Sequence, residues 1–287
     1  MNIKGLKVGN RLGIAAGFDK NGQLVSELED MGFGFVEVGT VTPKAQPGNP
    51  KPRIHRVESH EALVNSLGFN NKGIEKMASR LQKLSRKGAL GINIGPNKST
   101  SFANLINDYL VCLEYVGSIA DYITINISSP NTPQLRNMHS AEYFKDLIAA
   151  IESERSKFNN NPKIFIKLSP DEENETYYQL IELVNKSTID GVIVSNTSVD
   201  QEIKNAAKVG YLAGGVSGKL IGDKSNKVLS LFKEKLDPEK IIVAVGGVFD
   251  VDSYNKKIDL GADLVQIYTG FIYEGPSLIK RIVQHGK

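Results

Sequence analysis

Short apolar runs alternate with longer amphipathic segments from one end of the chain to the other. The apolar runs are rich in valine and isoleucine, and polar or glycine residues bound them, which is typical of buried strands. We predict strands at 12–16, 35–39, 89–94, 122–127, 164–168, 191–195, 241–245 and 264–267. Apolar positions at helical spacing predict helices at 23–31, 74–86, 102–116, 141–158, 175–186, 224–235, 251–258 and 276–284.

Continuous apolar strands separated by helices indicate parallel pairing with both faces of the sheet covered. Such units over 287 residues fit an α/β fold of the (β/α)8 TIM-barrel type, for which about 250 residues is typical. An open doubly wound sheet is the alternative, but the even spacing and the lack of a domain break favour closure. We expect one barrel domain over residues 1–287, with a short N-terminal hairpin in which residues 3–8 turn at Gly9 and Asn10 into the first core strand.

Two predicted connections are longer than the usual span of about two to six residues. They cover residues 40–73 and 196–223, and both begin where a strand ends. In a barrel this places them on the catalytic face, so we expect them to form a lid or a substrate pocket. The four prolines at 43, 47, 50 and 52 predict that the first connection is ordered.

The composition excludes several classes of protein. The net charge of +3 is spread along the chain without a lysine or arginine block, so we expect no nucleic-acid partner. No apolar run approaches the roughly 20 residues that cross a bilayer, and the N-terminus lacks a secretory signal, so we expect a cytoplasmic protein without a transmembrane segment. Cys112 is the single cysteine, which excludes an internal disulfide, and we expect it to be buried in a helix.

Polar residues follow most of the predicted strands. They are Asp19, Lys20 and Asn21; Thr40; Asn93; Asn126, Ser129 and Asn131; Lys167; Asn196 and Thr197; Gly246 and Gly247; and Tyr268, Thr269 and Gly270. Carboxamides supply donors and acceptors without charge, which suits a planar ligand whose edges alternate C=O and N–H groups. Asparagine also favours turns, but its recurrence at the same end of several strands favours a ligand site.

Two of these strand ends predict a phosphate site. Gly246-Gly247 and Tyr268-Thr269-Gly270 follow the seventh and eighth strands, where such barrels usually bind phosphate through backbone N–H groups. A phosphorylated cofactor or substrate is therefore expected, although paired glycines also serve left-handed turns. Lys167 would bring an ammonium group into the barrel mouth, where it needs an anionic or electron-rich partner.

Other catalytic motifs do not match this sequence. Glu37 stands where a dinucleotide fingerprint needs its third glycine, and the segment around Lys219 lacks the Walker spacing. The four histidines do not have metal-ligand spacing, so we expect no metal site. Ser129 lacks the Gly-x-Ser-x-Gly elbow, which argues against acyl transfer.

A set of short segments points to one enzyme family. The segments are AAGFDKNG at 15–22, GTVTP at 39–43, NSLGFNN at 65–71, GINIG at 91–95, NISSPNT at 126–132, SNT at 195–197, GGVSG at 214–218 and VGGV at 245–248. In this order they resemble the dihydroorotate dehydrogenases, flavin enzymes of pyrimidine (UMP) biosynthesis, from about Gly5 to the last helix. Ser129 lies where the membrane-linked, quinone-using class 2 enzymes carry a serine base, while class 1 enzymes carry a cysteine there.

The resemblance implies FMN across the barrel mouth and dihydroorotate beside it. The implied FMN contacts are Ala16, Gly17, Thr40, Asn93, Asn126, Lys167, Ser195, Gly218, Gly247, Tyr268 and Thr269, the last four around the phosphate. The implied substrate contacts are Lys20 at the carboxylate, Asn65, Asn126, Asn131, Asn196 and Thr197 at the ring edges, and Gly68 and Phe69 in a covering loop.

The implied reaction is oxidation of dihydroorotate to orotate. Ser129 would take the proton from C5, with Lys20 and a hydrogen-bond path through Thr132 assisting, while a hydride leaves C6 for the flavin. Arg56 and Tyr268 match positions at the quinone end of the class 2 flavin site. A related flavin barrel acting on another pyrimidine or a tRNA base, and a non-catalytic barrel that binds a phosphorylated ligand, are the alternatives.

Class 2 enzymes also carry N-terminal amphipathic helices that form a quinone tunnel and rest on the membrane, and this sequence does not include them. We expect either that quinone reaches the flavin by a more open path or that another oxidant or a partner replaces it. Peripheral contact with the inner face of the cell membrane is the corresponding expectation for location.

Overall fold

The computed structural model describes residues 1–128 and 141–287. Its strands are β1 (Asn2–Ile3), β2 (Leu6–Lys7), β3 (Leu12–Ile14), β4 (Phe35–Val41), β5 (Ile54–Val57), β6 (Ala62–Asn65), β7 (Ala89–Ile94), β8 (Tyr122–Asn126), β9 (Lys163–Leu168), β10 (Gly191–Val194), β11 (Gly215–Gly218), β12 (Ile241–Val245) and β13 (Leu264–Ile267). Its helices are α1 (Val25–Asp30), α2 (Ile74–Leu81), α3 (Leu105–Val116), α4 (Ala141–Arg155), α5 (Asn174–Asn185), α6 (Gln201–Ala206), α7 (Gly222–Lys235), α8 (Val251–Asp259), α9 (Thr269–Glu274) and α10 (Pro276–His285).

Eight parallel strands form a closed barrel in the order β3-β4-β7-β8-β9-β10-β12-β13. Each corresponds to one of the predicted apolar runs, so the predicted (β/α)8 fold is confirmed. The runs are continuously apolar because one face of each strand points into the barrel and the other packs against helices. Phe35, Tyr122 and Phe165 fill the barrel interior, and Cys112 lies fully buried in the surrounding layer, as predicted.

The N-terminal hairpin exists, but its predicted turn was wrong. Strands β1 and β2 pair antiparallel, with Asn2 opposite Lys7. Lys4 and Gly5 form the turn, both at positive φ, which glycine adopts without a steric cost. The strand after Gly9 and Asn10 pairs instead with β4 and β13 in the barrel. Leu6 and Val8 pack against the inner barrel residues, so the hairpin region covers the amino-terminal end of the barrel.

The two long connections meet in a three-stranded antiparallel sheet, in the order β11-β6-β5, which we call the cap. Val64 of β6 lies opposite Val216 of β11 and His55 of β5. Val57, Val64 and Val216 belong to a small apolar cluster of the cap's own. The sequence predicted a pocket-forming role for these connections but not their strands. Among the helices that the structure describes, none is long and apolar enough to cross a membrane.

Candidate active site

A cavity of about 300 Å³ opens at the carboxyl ends of the barrel strands, and the cap forms part of its wall. This is the face on which TIM barrels carry their active sites. It brings together most of the residues predicted for the site, namely Ala16, Gly17, Lys20, Thr40, Arg56, Asn65, Gly68, Phe69, Asn126, Lys167, Ser195, Asn196, Thr197, Gly218, Gly247, Tyr268 and Thr269. Asn93 is fully buried beneath the lining. Ser129, Asn131 and Thr132 lie outside the described residues.

A chain of side-chain hydrogen bonds crosses the floor of the cavity. Asn196 Nδ2 donates to Ser128 Oγ (3.0 Å), and Ser128 Oγ donates to Asn126 Oδ1 (3.2 Å). Asn126 Nδ2 donates to Thr40 Oγ1 (3.0 Å) and to Asn93 Oδ1 (3.2 Å), and Thr40 Oγ1 donates to Asn93 Oδ1 (2.6 Å). The register of β4 against β7 shifts between Gly39 and Val41, a bulge at the position that supplies Thr40.

This chain ends on Glu37, a carboxylate with no exposed surface inside the barrel. Glu37 accepts hydrogen bonds from Asn93 Nδ2 (2.8 Å), Gln266 Nε2 (2.6 Å) and the Tyr122 hydroxyl (3.2 Å). Because an ionised carboxylate only accepts, Asn93 must turn its amide nitrogen toward Glu37 and its oxygen toward the cavity. Glu37 thereby fixes which way the amides above it point.

Two lysines bring positive charge to the cavity. Burial lowers the pKa of Lys167, and the Glu37 carboxylate opposes that shift. Lys167 is buried and lines the cavity, and no described residue accepts a hydrogen bond from its ammonium. Burial, together with the positive charges of Arg53 and Lys167, lowers the pKa of Lys20 to about 8. Both groups therefore favour an anionic or electron-rich ligand.

Glycines bring backbones close together at the predicted phosphate end. Gly247 has a φ of +78°, and a Cβ there would lie 2.4 Å from the Cα of Gly222 at the start of α7. Gly218 has a φ of +96°, and a Cβ there would lie 2.4 Å from the carbonyl oxygen of Glu61. The Thr269 hydroxyl donates to Ser217 Oγ (2.8 Å) beside them. Only glycine fits these two positions. The backbone N–H groups of Gly218 and Gly247 can bind an anion.

The covering loop and the predicted quinone side lie at the cavity's edges. Gln46 Nε2 donates to the carbonyl oxygens of Gly68 and Phe69 (both 3.1 Å), which holds the predicted covering loop in place. Arg56 stacks over the Tyr273 ring, with its guanidinium carbon 5.5 Å from the centroid. Apolar side chains that sequence reasoning missed also line the cavity, namely Ile54, Leu63, Leu67, Phe249 and Ile272, and we call this set the apolar wall.

Glu37 and Gln266 were also missed, although the sequence carries a signal for each. Both interrupt an otherwise apolar strand, Glu37 in Phe35–Val41 and Gln266 in Leu264–Ile267. A charged or amide side chain inside a buried strand requires a partner, and that requirement points to a polar interior. The apolar wall gives no such signal, because its residues come from separate parts of the chain and meet only in the folded protein.

Comparisons with known proteins agree with this geometry. The sequence model of the family described as "Dihydroorotate dehydrogenase" matches residues 1–285. A relative from Idiomarina loihiensis named "Dihydroorotate dehydrogenase (quinone)" is 42% identical over 99% of this chain and 86% of its own length. Another of the same name, from Saccharophagus degradans, is 44% identical over 97% of this chain and 84% of its own length.

Solved structures give the same result. The crystal structure of the dihydroorotate dehydrogenase of Eimeria tenella in complex with ferulenol superposes with a TM-score of 0.93 at 35% identity, over 99% of this chain and 82% of the other. The ligand-free form of the same enzyme also gives 0.93, at 36% identity, over 99% of this chain and 85% of the other. The resemblance to the quinone-type, class 2 enzymes is thus confirmed, and the chain belongs to the dihydroorotate dehydrogenase family.

Proposed function

We propose that this protein oxidises (S)-dihydroorotate to orotate in pyrimidine biosynthesis, with FMN as its cofactor and a quinone as the electron acceptor. The observation that carries the proposal is a single cavity that is lined both by carboxamides and lysines and by the glycine cradle. The first set suits a planar anion with an amide edge, and the cradle suits a phosphate. Family membership supports the same reaction.

The residues present fit FMN. Gly218, Gly247, Tyr268 and Thr269 would hold the phosphate, since all four line the cavity and the two glycines allow the close backbone approach described above. The ring system would lie against the remaining predicted contacts, which are Ala16, Gly17, Thr40, Asn93, Asn126, Lys167 and Ser195, with Asn93 acting from beneath through Thr40 and Asn126. When bound, FMN supplies a hydride acceptor and passes electrons to a second substrate.

Dihydroorotate would be held by charge at one end and by amides along its ring. Lys20 would pair with the carboxylate, because its ammonium is partly buried beside other positive groups. Asn65, Asn126 and Asn196 would meet the ring edges, together with Thr197 and the loop at Gly68 and Phe69, all of which line the cavity. Asn131, a further proposed contact, belongs to the undescribed segment.

The proton at C5 needs a base, and we assign that role to Ser129, with Thr132 leading the proton away. The neighbouring hydroxyl supports this choice. Ser128 Oγ donates to Asn126 and accepts from Asn196, so it is already engaged in holding the amides. A hydroxyl committed in this way is poorly suited to take a proton, which favours the next serine in the sequence.

Anaerobic mixing of the flavin-loaded protein with dihydroorotate tests the reaction. We expect the bound flavin to bleach rapidly in the wild type and orders of magnitude more slowly in Ser129→Ala, with FMN affinity retained. Ser128→Ala is the matched control, and its main expected effect is weaker orotate binding because Asn126 and Asn196 lose their shared partner. Normal flavin reduction in Ser129→Ala would refute the role of that serine.

The acceptor is tested by mixing the reduced protein with ubiquinone, menaquinone, fumarate and NAD. The apolar wall beside Arg56 and Tyr268 supports a quinone, which we expect to reoxidise the flavin fastest. Quinones dissolve in membranes, so we also propose peripheral membrane contact near Ile54, which is 48% exposed. Rapid reoxidation by fumarate or NAD alone would contradict the assignment of a quinone.

A further inference from the structure

Lys257, on α8, is a buried lysine outside the cavity, with only 2% of its surface exposed. Its Nζ donates to Ser225 Oγ on α7 at 2.8 Å, and that hydroxyl donates to the carbonyl oxygen of Val245 at 2.7 Å. The Asp223 carboxylate favours the charged form of Lys257, but the two do not form an ion pair in the described part of the structure. A buried ammonium with a single neutral partner is costly, so an unexplained charge lies behind this strand end.

The position of Ser225 connects this charge to the glycine cradle. A Cβ on Gly246 would lie 3.1 Å from Ser225 Oγ, so that hydroxyl packs directly behind the Gly246 backbone. The next residue, Gly247, packs against Gly222 at the start of α7, and both glycines line the cavity. One hydroxyl group therefore separates the ammonium from the backbone that faces the proposed phosphate.

The cradle itself offers little charge to a phosphate. Its proposed contacts, Gly218, Gly247, Tyr268 and Thr269, carry no cationic side chain. Lys219, next to Gly218, is half-exposed and forms an ion pair with Glu61. A phosphate dianion would therefore meet neutral donors first, and the buried ammonium behind them would act through a low-dielectric layer in which charge is poorly screened.

We propose that Lys257 is a positioning residue that supplies a buried counter-charge for the cofactor phosphate, acting through Ser225 and the Gly246-Gly247 backbone. The proposal rests on the proposed function, because it presupposes FMN in the cavity. Burial lowers the pKa of Lys257 to about 7, so the side chain is only partly protonated at neutral pH. A nearby dianion would favour the protonated form.

Comparing FMN with riboflavin isolates the phosphate, because riboflavin lacks it and keeps the ring system. We would titrate the apoprotein with each ligand and measure Kd from the change in flavin fluorescence. Lys257→Gln keeps a donor for Ser225 but removes the charge, and it should weaken FMN about tenfold while leaving riboflavin unchanged. Lys257→Arg keeps the charge and should retain most of the preference for FMN.

Lys204 provides the matched control. It is also buried, 3% exposed, but its ammonium donates to the carbonyl oxygen of Leu212 in the second long connection. Lys204→Gln should leave the ratio of FMN to riboflavin affinity unchanged. If Lys257→Gln does not fold, Lys257→Met removes the same charge with a side chain suited to burial and has the same expected outcome.

The outcomes separate the two proposals. A wild-type apoprotein that binds FMN no more tightly than riboflavin would refute the phosphate cradle and FMN as the cofactor. A wild type that prefers FMN, combined with a Lys257→Gln or Lys257→Met variant of equal preference, would overturn the role of Lys257 and leave the proposed function intact.

Discussion

Lys20 connects the electrostatics of the cavity to a measurable pH dependence. Burial and two neighbouring cations lower its pKa to about 8. The ammonium is therefore present below about pH 8 and is lost above it, well before an ordinary lysine would titrate. We expect orotate to bind with full affinity at neutral pH and progressively more weakly above pH 8, with a bound carboxylate moving the decline to somewhat higher pH.

Orotate titrations monitored by flavin absorbance, from about pH 6.5 to 9.5, measure this decline. Lys20→Met should weaken binding about 10- to 100-fold at neutral pH, the range for a lost charge-assisted hydrogen bond. The variant should also lose the dependence on pH above 7. If its affinity declined with pH as the wild type's does, another group would be responsible.

Glu37 is the second residue whose effect can be predicted. Its carboxylate accepts from three buried donors, on Asn93, Tyr122 and Gln266. Glu37→Gln would bring an amide NH2 against one of these donors and would remove the negative charge that supports Lys167. We expect a loss of roughly 1–3 kcal/mol in the free energy of unfolding, together with weaker FMN binding.

Urea unfolding and FMN titration measure the two effects of Glu37→Gln. Tyr122→Phe is the comparison variant, because it removes one donor, at 3.2 Å, without changing any charge. It should leave flavin affinity closer to that of the wild type. A Glu37→Gln protein with wild-type stability and flavin affinity would show that the orientation of Asn93 does not depend on the carboxylate.

Among the elements, the junction of β12 and α7 depends on glycine for both shape and space. Gly247→Ala places a Cβ 2.4 Å from Gly222 Cα in a backbone conformation at φ +78°. Gly275→Ala is the matched control, since Gly275 has a similar φ of +66° but no atom within 4 Å of the added Cβ. The control therefore carries backbone strain without a steric clash, about 1–3 kcal/mol.

We expect the free energy of unfolding of Gly275→Ala to fall only by that strain, and we expect the variant to bind FMN normally. In Gly247→Ala the added Cβ also forces β12 and α7 apart. We therefore expect its FMN affinity to fall at least tenfold, in addition to a loss of stability. Urea unfolding of both apoproteins, combined with FMN titration, distinguishes the two effects. Equal FMN affinities in the two variants would contradict a cradle built on this close approach.

The elements also differ in how far sequence alone could predict them. The barrel strands were predictable because both of their faces are buried, which leaves a continuous apolar run. In the cap, β5 is mostly exposed, and β11 is the short segment Gly215–Gly218. Their stability comes from pairing with β6, which lies far from β11 along the chain. Such pairing is decided by tertiary contact, which local pattern does not encode.

The residues of the site were likewise predictable only in part. Lys20, Asn126, Lys167 and Asn196 lie at or just after the ends of apolar runs and so could be assigned to one end of the barrel before the structure was known. Glu37 and Lys257 lie within strand and helix patterns, and their importance depends on which side chains meet them in three dimensions. Burial without a charged partner, which only the structure reveals, is what distinguishes Lys257 from a surface lysine.

At the scale of the whole molecule, the cavity lies where the barrel strands and the cap meet, so a bound cofactor would contact both. A ligand that binds only the folded state raises the free energy of unfolding, by about 2.7 kcal/mol at 100 times its Kd. For a chain of this size that corresponds to roughly 4–5 °C in Tm. We therefore expect the Tm of the apoprotein to rise with FMN concentration by this amount.

Differential scanning calorimetry over a range of FMN concentrations measures the rise. Gly247→Ala should need at least ten times more FMN than the wild type for the same increase, because its cradle is disrupted. Gly275→Ala should melt lower but respond to FMN as the wild type does, which separates general stability from cofactor binding. The shift must also be a single cooperative transition, since the cofactor would contact barrel and cap together. A cap that melted separately, at a temperature independent of FMN, would contradict its place in the cofactor site.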